Sequence, residues 1–434
     1  MADFSEEAIQ RLSDAPGADR LVGALNTTRE RVDELQKRVR GLEDLEKRLS
    51  ALERKVDKLA KGSTRLPKPG RSGIDHVVVV MMENRSFDHI LGWLPGADGK
   101  QAGLSFTDVA GAVHQTFPLA PDFQGCAFND PDHSYEGARV EWNNGACDGW
   151  LRAGQNDKYS IGYYRQQDLG FLGKVAPAFT TCDRFFASIL APTFPNRFYS
   201  LSGVTDRTSN TQVRVDLPTI FDRFAAKKLP AAYYYGNFNF LLLYQRYNAI
   251  SHRYAQFFKQ CKSGKLPAFS YIDPSYTFAD SGPSSGNQGS DDHPHADIRA
   301  GEYFMSTIYN AVTTSPAWSR KLLIFTFDEL GGFFDHVPPP AAPADVKPEY
   351  RQRGFRIPCI LVSPFARRGR VAHGTYDHTS ILKLAEWRWG LEPLSVRDAG
   401  ASNLAAALDF AHPKLKAPKI SVPRVLVGAA CPTS

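Results

Sequence analysis

An α/β domain with a mostly parallel central sheet, carried behind an N-terminal α-helical coiled coil, is the architecture this sequence predicts, and three patterns predict it. Near-continuous apolar runs of strand length recur after residue 73, rich in β-branched residues, as strands buried on both faces require. Helix-like stretches lie between those runs, and strands that alternate with helices define the class. Ahead of both, the apolar positions over residues 31–59 alternate three and four apart.

That N-terminal seam consists of Val32, Leu35, Val39, Leu42, Leu45, Leu49, Leu52, Val56 and Leu59, flanked almost entirely by Arg, Lys, Glu and Asp. It predicts a coiled coil within 1–60, with a stammer at Leu42–Leu45 that overwinds the supercoil. The segments at 38–43 and 48–53 follow an Arg-apolar-x-x-apolar-Glu pattern seen in short trimeric coiled coils, so a homo-oligomer, with a trimer favoured, is the expected assembly. Residues 61–73, KGSTRLPKPGRSG, break the period with Pro and Gly and read as a linker. The catalytic-sized domain is expected over 74–434. Its strands are predicted at 74–82, 321–327 and 357–362, with shorter ones at 231–235 and 268–272, and helices at 296–312 and 380–389.

Composition narrows the class without naming a function. Hydrophobic residues make up 42% and charged residues 23% of the 434, values of an ordinary folded protein. The formal charge of +6 is spread along the chain, so phosphate-bearing ligands suit it and nucleic acid is not implied. No apolar run is long enough to span a membrane, and the N-terminus lacks the apolar core of a signal peptide, which predicts a cytoplasmic protein or one exported by a signal-less route. Six widely spaced cysteines, with no CxxC pair, predict free thiols or one local disulfide.

Polar clusters follow the predicted strands directly, where ligands of open α/β sheets gather. Glu83-Asn84 ends the run at 74–82, and Asp328-Glu329 ends the run at 321–327. Carboxylate and amide oxygens suit a hard or borderline divalent cation, and a cation there would neutralise charge on a phosphoryl group. A single acidic pair at a strand end is commonly a helix cap; two such pairs on two buried strands favour a site. Thr193 lies in a proline-stiffened segment at 191–197, ordinary turn chemistry taken alone. His133, His293, His295, His336 and His378 all lie beside or near Asp residues, a pairing that orients an imidazole or merely caps a turn. His336, before three consecutive prolines, reads as structural.

Six segments together resemble the bacterial and plant phosphatidylcholine-type (non-specific) phospholipase C and acid phosphatase family, within the alkaline phosphatase superfamily. They are MMENRSFDHILGWLPG at 81–96, DHSYEGARVEWNNGACDGW at 132–150, CDRFFASILAPTFPNRFYSLSG at 182–203, DDHPHADIRAGE at 291–302, FDELGGFFDHVPPP at 327–340, and SPFARRGRVAHGTYDHTSILKLAEWRWGL at 363–391. The resemblance implies an alkaline-phosphatase-like three-layer αβα sandwich. It also implies one divalent metal ion (Ca, Mg, Mn or Zn) on Glu83, Asn84, Asp328 and Glu329, with Thr193 as nucleophile. By the same resemblance His133, His293, His295 and His378 surround the phosphate, or Asp292, His295 and His378 hold a second metal. Asn196, Trp142 and Trp150 are the expected substrate-binding residues, the tryptophans through cation–π contact with a choline head group, although such residues more often belong to the core. Implied function is phospholipase C cleavage of phospholipids through a phosphothreonine intermediate at a membrane surface. A broad-specificity acid phosphatase acting on small phosphate esters, and a coiled-coil scaffold with a degenerate phosphoesterase domain, are the alternatives. Leu330 and Cys147 depart from residues common in that family.

Overall fold

Four consecutive valines drive the first strand. In the computed structural model, which describes residues 66–277, 289–424 and 431, β1 (His76–Met82) has six of its seven residues buried. Each such valine side chain contributes about 1.5–3 kcal/mol over its exposed state. The predicted coiled coil and most of the linker lie outside the described residues.

Seven further strands complete the sheet: β2 (Thr180–Cys182), β3 (Ala231–Tyr235), β4 (Ser251–Arg253), β5 (Phe269–Ile272), β6 (Lys321–Phe327), β7 (Cys359–Val362) and β8 (Arg370–Ala372). Their order is β8-β2-β7-β6-β1-β5-β3-β4. β1 lies at the centre, paired in parallel with β5 on one side and β6 on the other. One expectation needs correcting: β7 runs antiparallel to both β6 and β2, although its sequence reads like that of a parallel strand. A strand buried on both faces carries the same apolar run whichever way it points. Direction is set by the connection, and Cys359 pairs with Thr326 at the carboxyl end of β6, where the preceding segment leaves it.

The helices that matter here are α1 (Phe87–Leu91), α2 (Tyr135–Trp142), α3 (Thr193–Ser202), α4 (Ile220–Ala226), α5 (Tyr254–Ser263), α6 (Ile298–Thr313) and α7 (His378–Trp389). Alternation along the strands assigns them to opposite faces. On one face Phe224 of α4 packs over Phe269, 5.3 Å between centroids, and Ser200 of α3 bonds the Tyr271 hydroxyl at 2.9 Å. On the other, Phe257 of α5 meets Tyr234, and Phe171 meets both Phe325 and Tyr309 of α6. Helices therefore cover both faces of a mainly parallel sheet. Among the described residues no helix is long and apolar enough to cross a membrane.

The thiol expectation holds in part. Cys147, Cys182, Cys261 and Cys359 are free and buried, but Cys126 bonds Cys431 across 305 residues of sequence, so the disulfide is not local. Chain proximity between such distant residues is a tertiary property that spacing alone does not reveal.

Helix α7 begins at a heavily tied carboxylate. Asp377 caps it through the Thr379 amide and also accepts from Arg353 (2.6 Å) and Arg397 (3.0 Å), all buried. Burial alone would raise the Asp377 carboxyl, yet Arg397 and Arg353 outweigh it and hold it well below the usual carboxylate range. A depressed pKa contributes stability that is present above the unfolded value of about 4 and is lost as pH falls below it. Asp377→Ala should therefore cost about 3–5 kcal/mol in urea unfolding at pH 7, the cost of breaking a buried ion pair. The gap to the parent should narrow as the unfolding is repeated toward pH 3.

Candidate active site

Met82 and Phe327 are register partners at the ends of β1 and β6, so Glu83 and Asp328 emerge side by side. Asn84 turns out of β1 with φ 59°, a left-handed conformation that Asn tolerates. Its amide donates to Asp328 Oδ1 at 3.0 Å, and the Glu329 amide donates to the same oxygen at 2.8 Å. Gly331 donates to Glu329 Oε2 at 2.6 Å; a Cβ on Gly331, at φ +65°, would lie 2.2 Å from the Asn84 carbonyl. Both side-chain atoms of the Asn84 amide and Glu329 Oε1 are buried without a partner.

Arg197, one turn after Thr193 on α3, reaches into this cluster. Its guanidinium bonds Glu83 Oε1 at 2.6 Å, Asp273 Oδ1 at 2.6 Å and Asp328 Oδ2 at 3.2 Å. Even so, burial and the neighbouring Asp328 push the Glu83 carboxyl well above its usual range. Burial likewise raises Glu329 to about 8, against the pull of His133. Carboxylates crowded beyond what one guanidinium neutralises, with unpartnered oxygens among them, suit a divalent cation on chemical grounds: Asn84 and Glu329 would supply oxygens now unpaired, beside Glu83 and Asp328.

Thr193 opens α3, its side chain nearly buried, at the end of a loop that Asn196 clamps. Asn196 Nδ2 donates to the carbonyls of Ile189, Ala191 and Pro192, and its Oδ1 accepts from the Ile189 amide. Behind the loop, His378 Nε2–H donates to the Phe327 carbonyl at 2.9 Å, which leaves Nδ1 to accept from Ser188 Oγ at 3.1 Å. Arg397 donates to the Ser188 carbonyl at 2.6 Å.

A cavity of about 340 Å3 unites part of this machinery: Glu83, Thr193, His133, His293 and Asp130 line it together with Phe194, Phe238, Phe240 and Tyr276. Burial would depress the His133 imidazole, but the carboxylates of Glu329 and Asp130 prevail and raise it to about 9.

Several expected roles change in the folded chain. Asn196 is fully buried and bonded to backbone, so it positions Thr193 and does not face a ligand. Trp150 is also fully buried, donating to the Cys147 carbonyl and packing on Phe355 at 4.7 Å, so it cannot box a choline; Trp142 packs partly buried against the same cluster. His378, bonded through both nitrogens and lowered by burial, is a structural bridge and has no free atom for phosphate or metal. His295 donates Nε2–H to the Phe128 carbonyl. Asp292 turns its carboxylate toward α6, where only a glycine fits: a Cβ on Gly301 would lie 1.9 Å from Asp292 Oδ1. Asp292, His295 and His378 do not converge as a ligand set, whereas Asp130, His133 and His293 do. His336 is structural as expected, bonded to Asp88 beside Arg356.

Two residues escaped the sequence reading. Asp273 directly follows β5 and could have been found by the same strand-end logic as Glu83 and Asp328. Arg197 sits inside a segment already singled out, but nothing local says that it turns into the carboxylates.

A hydroxyl at a helix N-terminus thus shares one cavity with a strand-end carboxylate and two imidazoles. The chain belongs to the Phosphoesterase family, whose model matches residues 74–392. It is 29% identical over 425 residues to "Phospholipase C A" of Mycobacterium tuberculosis, covering 80% of this chain and 79% of that protein. It is 31% identical over 377 residues to "Non-specific phospholipase C1" of Arabidopsis thaliana, covering 76% and 69%. Among solved structures, a protein in the alkaline phosphatase superfamily from Vibrio parahaemolyticus aligns with TM-score 0.36 and 11% identity over 54% of this chain and 63% of that one. The phosphonate monoester hydrolase of Agrobacterium radiobacter aligns with TM-score 0.35 and 10% identity, over 74% of each.

Arg197→Met should destabilise the protein by about 3–5 kcal/mol in denaturant titration, because it strands three buried carboxylates. Asp273→Asn in the same background should recover part of that loss, a coupling that a double-mutant cycle measures.

Proposed function

We propose that this chain is a metal-dependent phospholipase C that uses Thr193 as a covalent nucleophile. The observation that carries the reading is the shared cavity: Thr193 lines the same wall system as Glu83 and His133, with the unpaired oxygens of Asn84 and Glu329 beside Glu83 and Asp328. A divalent ion held by Glu83, Asn84, Asp328 and Glu329 would supply Lewis-acid stabilisation of phosphoryl oxygens and lower the pKa of the hydroxyl. The N-terminal end of α3 adds its positive dipole where an anionic phosphate would lie.

In the proposed reaction Thr193 Oγ releases its proton to solvent and forms a bond to phosphorus as the bond to the diacylglycerol oxygen breaks. His133 Nε2–H gives its proton to that leaving oxygen. Water then attacks phosphorus, the Thr193 Oγ–P bond breaks, Thr193 and the released phospho-head group share the protons of water, and His133 regains its proton from solvent. Two in-line displacements give net retention at phosphorus. Arg197 bonds Glu83 and Asp328 and anchors the helix that carries Thr193, while Asn196 prevents the loop from drifting, as near-attack geometry demands. The relatives' names support phospholipid as the substrate class.

Thr193→Ala should abolish diacylglycerol release from phosphatidylcholine vesicles, and Thr193→Ser should retain a measurable fraction. His133→Asn should lower kcat about 10^2- to 10^4-fold, the usual worth of a general acid. Exhaustive chelation should remove activity, and added divalent cation should restore it. Turnover of a soluble aryl phosphate with no turnover of lipid would replace phospholipase with phosphatase; unchanged lipid turnover in Thr193→Ala would end the nucleophile assignment.

A further inference from the structure

We propose that Asp130, His133 and His293 form a second cation site, distinct from the strand-end carboxylates, that takes a borderline divalent ion such as Zn2+. Three independent features carry it. One ligand atom from each residue already lies within 4.8 Å of the other two. Zinc ligands sit 2.0–2.2 Å from the ion, and two imidazoles with one carboxylate leave a fourth position open, the donor set of catalytic zinc.

The second feature is the tautomer. His133 Nδ1–H donates to the Pro131 carbonyl at 2.8 Å, and His293 Nδ1–H donates to the Pro294 carbonyl. Each bond commits Nδ1, so in the neutral ring the lone pair is on Nε2. Backbone-fixed imidazoles of this kind are how proteins orient metal-binding histidines. The rings are edge-on to each other, with centroids 5.6 Å apart and an interplanar angle of 82°, an arrangement that two ligands of one ion can adopt.

The third feature is an unmet need. Asp130 Oδ1 is buried and has no hydrogen-bond partner, which costs about 1–3 kcal/mol unless something binds it. A comparison inside the same molecule sharpens the point. Asp88, Asp335 and His336 converge equally closely, but Arg356 enters that group, bonding Asp335 at 2.9 Å and Asp88 at 3.1 Å. An internal guanidinium already supplies the cation there. Among the described residues no arginine or lysine ion-pairs with Asp130.

Both the Asp130 group and Thr193 line the cavity, so an ion held there would share that space with Thr193. Occupancy also takes His133 Nε2, the atom that donates the proton in the proposed reaction. Bound Zn2+ therefore slows turnover, a consequence that rests on that reading of His133, whereas binding itself does not.

The test uses the full chain with ZnCl2. Crystals saturated with Zn2+ should give an anomalous peak, absent below the zinc edge, within bonding distance of Asp130, His133 and His293. In calorimetric titrations, Asp130→Asn and His293→Gln should each weaken one binding event by more than about 10-fold, the loss that follows even removal of an outer-shell partner. Melting curves would verify that both variants fold. No peak at this position in Zn-saturated crystals, or undiminished affinity in both folded variants, would overturn the site. In lipid assays, Zn2+ should slow the parent, and Asp130→Asn should be slowed less relative to its own zinc-free rate. Zinc bound at the three residues without slowing would uphold the site and remove the donor role from His133.

Discussion

One guanidinium holds the centre of this molecule together. Arg197 bonds carboxylates that follow three neighbouring strands: Glu83 after β1, Asp273 after β5 and Asp328 after β6. Parallel strands bring their carboxyl ends to one edge, and acidic residues there repel one another in a medium of low dielectric. A cation inserted from the helix layer resolves that conflict and fastens α3 to the sheet. Thr193 lies four residues before Arg197, on the same face of α3, so the tether also locates the hydroxyl.

The neutralisation is incomplete. Glu83 and Glu329 remain pushed toward their protonated forms, and oxygens of Asn84 and Glu329 stay unpaired. A site built for stability would have paired or deleted these groups, because a buried charge without a partner is costly. Elsewhere the same chain pairs buried acids with guanidinium groups: Asp377 with Arg353 and Arg397, Asp335 with Arg356.

Much of the polar machinery around Thr193 holds it in position and never meets substrate. Asn196 ties four backbone groups of the loop before it, and His378 joins that loop to the last carbonyl of β6. Arg397 joins the same loop to Asp377 at the start of α7. Residue type suggested chemistry for Asn196 and His378, and the tryptophans suggested a cation box. Exposure decided otherwise, since a residue wrapped by backbone has no free atom for a ligand. His133 and His293, of the same type as His378, do line the cavity.

Sequence alone determined the α/β class, the buried strands at 76–82 and 321–327, and the acidic pairs that end them. Those features are local: β-branched runs stiffen a strand, and the residue after a strand end must project at the sheet edge. Thr193 entered through resemblance, since a threonine between prolines has no local signature of a nucleophile. Tertiary structure alone decided the antiparallel course of β7, the Cys126–Cys431 bridge and the turn of Arg197 into three carboxylates. It alone chose which histidines reach the cavity. Each of these depends on residues far apart in the chain meeting in space, and no periodicity within one segment encodes which distant partner will fill a given contact.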